Sequence, residues 1–298
     1  MKHRPKHVVE YAAFRAITGG LSVLPYRTAL AVAWLHARLA FLVFSARASE
    51  AQNRIRSVFG DRFPPREVRA IAWRSWRNII FSAVEMVRAP RMSGRQIDAM
   101  FDYGRTMDVL RAHCDTGRGC LLALPHMGSW EMSAKAYRLN GLPIFSIGAE
   151  QKNTLMNAYI ERLRSQLAHD TVLRGAGTPR TILKRLKSGQ LLAILSDVRV
   201  RANGVPVPFL GGTANIGKGL ASFSMHANVP VFPGTVTRIG WYAHKMDIWD
   251  PIWPDKNLDK EEDVGRITCS VLRIFEEVIR KDPAQWFWYN RRWILDPV

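Results

Sequence analysis

The residues best suited to chemistry in this sequence are a histidine and a glutamate that follow an apolar run. Residues 119–124 are typical of a buried strand bounded by glycines, and 129–139 has the composition and spacing of a helix. His126 lies just beyond the strand, and Glu131 follows five residues later. Open α/β sheets place reactive groups at such strand ends, and an imidazole beside a carboxylate can act as a general base near pH 7. The same spacing fits a hydrogen-bonded structural histidine, so the pair alone leaves both interpretations open.

Strand-like and helix-like segments alternate along the chain from residue 119 onward. This alternation predicts an α/β fold with a mostly parallel central sheet flanked by helices. A long periodic helix that opens at Pro64 and Pro65 precedes it. The predicted strands are 119–124, 143–148, 170–173, 190–196, 230–238 and 242–250, and the predicted helices are 129–139, 153–168, 178–187, 216–227 and 260–281.

The beginning of the chain is apolar but punctuated by arginines. A glycine pair and Pro25 are expected to divide residues 8–48 into two helices. No uncharged stretch there reaches the roughly 17–25 residues that a helix needs to cross a hydrocarbon core. Arg27 and Arg38 fall on nearly one stripe of the second helix, which leaves an apolar face suited to a membrane interface. A buried core helix with two surface arginines is the alternative.

The charge of the chain is strongly positive and unevenly distributed. The formal net charge is +18, and residues 1–100 hold 17 Lys and Arg against 6 Asp and Glu. Such an excess predicts an anionic partner, which is a nucleic acid, an anionic lipid or an acidic protein. We therefore predict a membrane-associated helical segment at 1–50 and an α/β domain at 51–298.

Cysteine usage and the first residues of the chain limit the class of protein further. The three cysteines have no metal-ligand spacing, and their odd number argues against a disulfide framework, so a reducing compartment fits best. The basic start is not followed promptly by a compact apolar segment with a small-residue cleavage site. A cleaved secretion signal is therefore not expected.

Several blocks of the sequence, taken in order, resemble one enzyme family. The segment from His126 to Glu131 is similar to the His-x4-acid block of glycerolipid-type acyltransferases, and its Gly-x-Trp-Glu form resembles the lipid A late acyltransferases, which are lauroyl or myristoyl transferases. Met127 and Ser129 stand where that family usually has Phe and Asn, and Val198 stands where Gln is common. The resemblance covers nearly the whole chain. Its other blocks are Asn53–Arg54, Phe63–Pro64, Gln151–Asn153, Arg162–Arg164, Lys187–Gly189, Leu195–Asp197, Val207–Gly211 and Gln285–Trp293.

The resemblance implies an enzyme that moves a fatty acyl chain from an acyl thioester to a lipid hydroxyl. His126 would be the base that removes the hydroxyl proton, and Glu131 would hold the imidazole tautomer and stabilise its charged form. The acceptor hydroxyl is then the nucleophile, so Ser129 is predicted to be dispensable. The fold implied is the α/β fold of glycerolipid acyltransferases, with membrane-associated helices at its N-terminus.

Three further residues are candidates for binding substrate. Arg164 and backbone amides near Gly128 could donate to the tetrahedral intermediate, although Arg164 could equally bind an acceptor phosphate or be a solvated helix charge. Asp197 ends the apolar strand 191–195, where a carboxylate can orient a substrate or a catalytic arginine, or else cap a loop.

The resemblance also suggests partners and a location. It implies an acyl carrier protein or CoA as donor, a membrane lipid acceptor, and an anionic membrane surface at the cytoplasmic face of the cell inner membrane, with peripheral or N-terminal anchoring. No metal, tightly bound cofactor or nucleic acid is implied. A lipid A precursor is the first choice of acceptor, and a phosphatidylinositol mannoside or an aminolipid is the alternative.

A basic nucleic-acid-binding protein is the alternative from another class. For that reading the C-terminal aromatic residues, interleaved with Arg291 and Arg292, would form a base-stacking surface. We favour packing in a core or an acyl tunnel for these aromatic residues. They are Trp286, Trp288, Tyr289 and Trp293.

Overall fold

The computed structural model describes residues 4–148, 151–166, 170–175 and 177–295. Parts of three predicted segments lie outside the described residues. They are residues 1–3 of the N-terminal segment, 167–168 of the helix predicted at 153–168, and 296–298 of the α/β domain. The chain begins with four helices, which are α1 (Pro5–Val23), α2 (Tyr26–Val43), α3 (Ser45–Phe59) and α4 (Pro65–Arg88).

The breaks between these helices differ from the predicted ones. The glycine pair lies inside α1, and the chain turns at Leu24 and Pro25, because a residue before proline avoids the helical conformation. A second break follows at Phe44, so the segment holds three helices rather than two. Helix α3 is continuous across residue 50, where the sequence suggested a boundary. Pro65 occupies the first turn of α4 as predicted.

The rest of the chain alternates strands with helices. The strands are β1 (Phe101–Asp102), β2 (Cys120–Leu124), β3 (Ile144–Gly148), β4 (Asp170–Leu173), β5 (Leu191–Leu195), β6 (Gly204–Phe209), β7 (Gly212–Gly217), β8 (Val231–Ile239) and β9 (Ala243–Ile248). The helices are α5 (Gly94–Asp98), α6 (Thr106–Cys114), α7 (Trp130–Leu139), α8 (Thr154–Gln166), α9 (Thr178–Lys187), α10 (Gly219–Ala227) and α11 (Lys260–Lys281).

Seven of these strands form one sheet in the order β1-β9-β8-β2-β5-β3-β4. Within the described residues every neighbouring pair is parallel except β8 with β9, which form a hairpin. The predicted α/β fold with a mostly parallel sheet flanked by helices is therefore confirmed.

The two faces of the sheet bury separate cores, as alternation along a strand requires. Leu192 and Ile194 of β5 face α9, α10 and α11, whereas Leu191, Ala193 and Leu195 face α5, α6 and α7. Burial on both faces explains why the central strands are almost uninterrupted apolar runs.

A two-stranded hairpin of β6 and β7 was missed in the sequence. Pro206 and Pro208 count against a central strand, but they are compatible with a strand in so small a sheet. Leu210 and Gly211 both have positive φ, at 51° and 81°, which is the backbone of the tight turns that close hairpins. The predicted helix over 216–227 consequently begins only at Gly219.

The N-terminal helices pack on α4 and leave apolar side chains in solvent. Ala29, Leu30 and Ala33 of α2 are buried against Phe81 and Val84 of α4. Most of the large apolar side chains exposed in the described part of the chain lie on α1, on α2 or at Phe44, and they are Val8, Val9, Ile17, Val23, Leu35, Leu39, Leu42, Val43 and Phe44. No single described helix is long and apolar enough to cross a membrane, although the bent pair Tyr26–Val43 and Ser45–Arg62 passes that test of length and composition jointly.

A buried ionic cluster ties these helices to the sheet. Glu85 of α4 accepts two hydrogen bonds of 2.7 Å from Arg238 of β8 and one of 2.8 Å from the hydroxyl of Tyr26 in α2. His244 of β9 lies 3.3 Å from the same carboxylate. Burial disfavours the carboxylate, but the charges and hydrogen bonds of Arg238 and His244 together outweigh this and lower the pKa of Glu85. The charged pair therefore persists at neutral pH.

Candidate active site

The side chain of His126 is held by Asp197 at the carboxyl edge of the sheet. The Nδ1 atom of His126 lies 2.6 Å from Oδ1 of Asp197, and the backbone N–H of His126 donates to Oδ2 at 2.8 Å. These residues are 71 positions apart in the chain. They meet because β2 and β5 are parallel neighbours whose last residues, Leu124 and Leu195, are in register. The loops that carry the pair therefore leave the sheet at the same point.

The environment of Asp197 favours its ionised form. Its side chain is 1% exposed, and Oδ2 accepts a second hydrogen bond of 2.7 Å from the indole N–H of Trp286. Burial disfavours the carboxylate, but the charge and hydrogen bonds of His126, with the indole N–H, lower the pKa of Asp197 below its usual value. An ionised Asp197 requires a proton on Nδ1 of His126, which leaves Nε2 unprotonated in the neutral ring.

The environment of His126 suits a general base. Burial disfavours the imidazolium, but the charge and hydrogen bond of Asp197 outweigh this, with a smaller contribution from the charge of Glu131, so the pKa of His126 is raised. Its side chain is 20% exposed, and no hydrogen bond to Nε2 is formed within the described ranges. The Trp130 ring packs edge-on against the imidazole at 5.2 Å between centroids. The free Nε2 can therefore accept a proton from a bound hydroxyl.

The expectation that Glu131 holds the imidazole is wrong, because Glu131 is bound to Arg164. Nε and Nη2 of Arg164 donate to the two oxygens of Glu131 at 3.2 and 2.5 Å, and Nη1 donates to Glu161 at 3.1 Å. Glu131 lies in the first turn of α7, and Arg164 extends toward it from α8. The side chain of Arg164 is 20% exposed, so it is not a solvated helix charge. Asp197 has the orienting role expected of Glu131, and its hydrogen bond from the backbone N–H of His126 also fits the loop cap expected of it.

Gly128 is required by packing as well as by its position in the loop. Its φ is +55°, and a Cβ atom there would lie 2.2 Å from the carbonyl oxygen of Val236 in β8. Its own carbonyl accepts a hydrogen bond of 2.5 Å from Ser82 of α4. Ser129, which follows, is fully buried, and its hydroxyl has no partner within the described ranges. The backbone that carries His126 is thus fixed from both the sheet and α4.

Trp286 belongs to the site, and sequence reasoning missed its role. Residues 286 and 127 form an isolated antiparallel bridge, which places the indole beside Asp197. The carbonyl of Trp286 accepts a hydrogen bond from Ser75 of α4 at 2.5 Å. The dense aromatic block near the C-terminus was the available signal, and the expectation that it packs in the core is confirmed, because Trp286, Trp288, Tyr289 and Trp293 are all buried.

Two cavities open at this edge of the sheet, one on each face. The first cavity, of 290 Å³, lies on the α7 face and is lined by His126, Glu131, Tyr137, Arg164 and Leu195 among others. The second cavity, of 310 Å³, lies on the opposite face between the sheet, α10 and α11, and its floor is apolar. Both volumes fall near the lower end of the range for small-molecule sites, about 300–1,000 Å³.

The described residues hold no group of three or more His, Cys, Asp or Glu side chains that could bind a metal ion. The three cysteines are free thiols. His126, which forms a dyad with Asp197, and the guanidinium of Arg164 both line the first cavity.

Comparison with known proteins identifies the family. Residues 3–294 match the sequence pattern of the family described as bacterial lipid A biosynthesis acyltransferase. A phosphatidylinositol mannoside acyltransferase of Mycolicibacterium smegmatis is 26% identical over 221 residues, which cover 71% of this chain and 68% of that protein. One of Mycobacterium tuberculosis is 25% identical over 219 residues, which cover 71% and 66%. The matched region spans about two thirds of these relatives. The chain belongs to the bacterial lipid A biosynthesis acyltransferase family.

Proposed function

We propose that this acyltransferase transfers a fatty acyl chain from an acyl thioester to a hydroxyl of an anionic glycolipid. The observation that carries the proposal is the contact of His126 with Asp197, which leaves Nε2 free at the wall of the first cavity. A lipid hydroxyl has a pKa far above 7, so its proton must leave as the new bond forms. Nε2 of a neutral imidazole is suited to take that proton.

The reaction follows from these positions. The hydroxyl oxygen attacks the thioester carbonyl while its proton passes to Nε2 of His126. The resulting imidazolium is stabilised by the charge of Asp197. When the tetrahedral intermediate collapses, the carbon–sulfur bond breaks and the imidazolium returns the proton to the departing thiolate. The products are the acylated lipid and the free thiol of the donor, and no group on the enzyme is acylated.

Arg164 is proposed to stabilise the negative charge that develops on the carbonyl oxygen. Its guanidinium lines the first cavity together with His126, and the bonds to Glu131 and Glu161 fix its orientation before substrate binds. Glu131 thus acts through Arg164, and its charge also favours the imidazolium of His126. Backbone amides near Gly128 are proposed as further donors.

The acceptor is proposed to be a lipid A precursor or a phosphatidylinositol mannoside. The first choice comes from the family description, and the second from the names of the mycobacterial relatives. Both acceptors are anionic and amphiphilic, which suits a chain of net charge +18. An acidic acyl carrier protein as donor would be attracted by the same charge.

We further propose that the enzyme works on an anionic membrane surface, at the cytoplasmic face of the inner membrane. The apolar side chains exposed on α1 and α2 support this location, and so does the excess of basic over acidic residues in the first third of the chain. Leu39→Glu should then weaken sedimentation with phosphatidylglycerol vesicles. Leu258→Glu, at an exposed leucine away from these helices, is the matched control.

The function is tested by product analysis with purified protein. The protein is incubated with defined thioesters of acyl carrier protein or CoA and with lipid A precursors or phosphatidylinositol mannosides. The masses of the lipid products are then determined by mass spectrometry. His126→Ala should lower turnover by at least about a hundredfold, whereas His226→Ala, at an exposed histidine of α10, should not. Near-normal turnover in folded His126→Ala would exclude the proposed base. Tight, salt-dependent nucleic-acid binding without acyl transfer would instead support the binding-protein alternative.

A further inference from the structure

The second cavity has the composition of a site for an anionic amphiphile. Its floor is formed by Ile194 of β5, Leu220 and Phe223 of α10, and Val271 and Leu272 of α11. Arg174, Arg199 and Arg292 also line it, and none of its described lining residues is acidic. Apolar side chains suit a hydrocarbon chain, and guanidinium groups suit a phosphate.

The two cavities are separate but reach the same reaction centre. Ile194 and Val198 line both, and they lie at the end of β5 or directly after it. Arg174 also lines both cavities. Arg292 lines the second cavity and a small cleft that touches His126 and Asp197. Two exposed arginines therefore lie where the second cavity borders its neighbours, Arg174 beside the first cavity and Arg292 beside the cleft at His126 and Asp197.

The geometry of the two substrates indicates which cavity each can use. In an acyl thioester the reacting carbonyl is the first carbon of the chain, so the chain must begin beside His126. The first cavity, which His126 itself lines, meets that condition. In a phosphatidylinositol mannoside, the acceptor named for the mycobacterial relatives, the hydroxyls belong to the head group, so the hydrocarbon chains begin farther from the base. The second cavity is not lined by His126, and its arginines suit an anionic head group.

We infer that the second cavity binds a hydrocarbon chain of a phosphatidylinositol mannoside acceptor, with Arg174 and Arg292 at its head group, while the first cavity holds the acyl chain of the donor. The inference rests on the proposed function and adds the place of each substrate. In this arrangement one hydrocarbon chain lies on each face of the sheet, and the ester forms at the sheet edge between them.

Photolabelling tests where each chain binds and requires no turnover. One probe is phosphatidylinositol with a diazirine at the end of one acyl chain, and the other is an acyl-CoA with a diazirine on its last carbon. The lipid probe should label segments 216–223 or 268–272, and the thioester probe should label 133–147. Phosphatidylcholine with the same photoreactive chain should label the second cavity less. Lipid labelling confined to 133–147, or absent, would overturn the inference.

Two filling variants give a kinetic test. Val271→Phe adds volume to the second cavity and Ala134→Phe adds volume to the first, and both positions are buried. After thermal unfolding confirms that both variants fold, Val271→Phe should raise the acceptor KM at least about tenfold and leave the order of donor chain lengths unchanged. Ala134→Phe should shift donor preference to shorter chains. A changed donor preference in Val271→Phe would refute the assignment.

The photolabelling result and the proposed function can fail separately. Wild-type protein that labels as expected but forms no acylated lipid retains the second cavity as a lipid site and loses the proposed acyl transfer. Wild-type protein that forms the product while its lipid probe labels only the first cavity retains the acyl transfer and loses the inference.

Discussion

Replacing Asp197 by asparagine should disable the base while leaving the site in place. Oδ2 of Asp197 accepts hydrogen bonds from the backbone N–H of His126 and the indole N–H of Trp286. In the variant the amide oxygen must occupy that position, because an NH₂ group there would face two donors. The amide NH₂ then points at Nδ1 of His126, which must become an acceptor. The ring proton moves to Nε2, so the base is no longer available.

The expected loss is about 10³- to 10⁴-fold in kcat. Positioned base catalysis contributes about 10²- to 10⁴-fold, and a histidine locked in the wrong tautomer by the same Asp-to-Asn change in a serine protease costs about 10⁴-fold. At about 1.4 kcal/mol for each factor of ten, this is about 4–5.5 kcal/mol of transition-state stabilisation. The substitution changes almost no volume, so the fold should be retained.

The assay is acyl transfer at saturating donor and acceptor, with Glu131→Gln as the matched control. Glu131 contacts Arg164 and not His126, so Glu131→Gln should cost less than Asp197→Asn. Circular dichroism and thermal unfolding check that both variants fold. The reasoning is refuted if folded Asp197→Asn keeps kcat within about tenfold of wild type while Glu131→Gln loses about a thousandfold.

Three further predictions address the base, its support and the buried cluster. Because the pKa of His126 is raised and only the neutral ring accepts a proton, kcat/KM should rise with pH through a midpoint above about 6.5, and a lower midpoint would contradict this. Trp286→Phe removes a hydrogen-bond donor to Asp197 and should lower kcat about tenfold or more. Trp288→Phe, also at a buried position but with its indole bonded to Pro283, should keep kcat close to wild type, and equal losses would argue against a role of Trp286 in supporting Asp197. Glu85→Gln leaves Arg238 buried without its counter-charge and should lower the free energy of unfolding in urea by about 3–5 kcal/mol. Asp247→Asn, at the partly exposed pair with Lys245, should lower it by less than about 1 kcal/mol, and similar losses in the two variants would refute this account.

The partner of Glu131 could not be predicted from the local spacing of residues. Spacing correctly placed His126 just after a strand and Glu131 at the start of the next helix. It did not give the direction of either side chain, because direction depends on what packs against the loop. Arg164 lies opposite Glu131 and offers two parallel N–H donors, which is a stronger partner for a carboxylate than a neutral imidazole.

The missed hairpin and the missed role of Trp286 have different causes. The prolines of β6 count against a strand in any local reading, and only pairing with β7 overrides them. Trp286 belonged to a segment correctly predicted to be buried, but its hydrogen bond to Asp197 crosses 89 positions of the chain. No sequence period reports contacts of that range.

By itself the sequence determined the parallel α/β sheet and the edge at which the chemistry lies. Apolar runs and helix periods encode these features locally, since each residue's face follows from the repeat of its own element. Only the tertiary structure decided which carboxylate reaches His126. Asp197 reaches it because the strand order makes β2 and β5 parallel neighbours, and strand order depends on contacts between residues far apart in the chain rather than on the repeat of any one element.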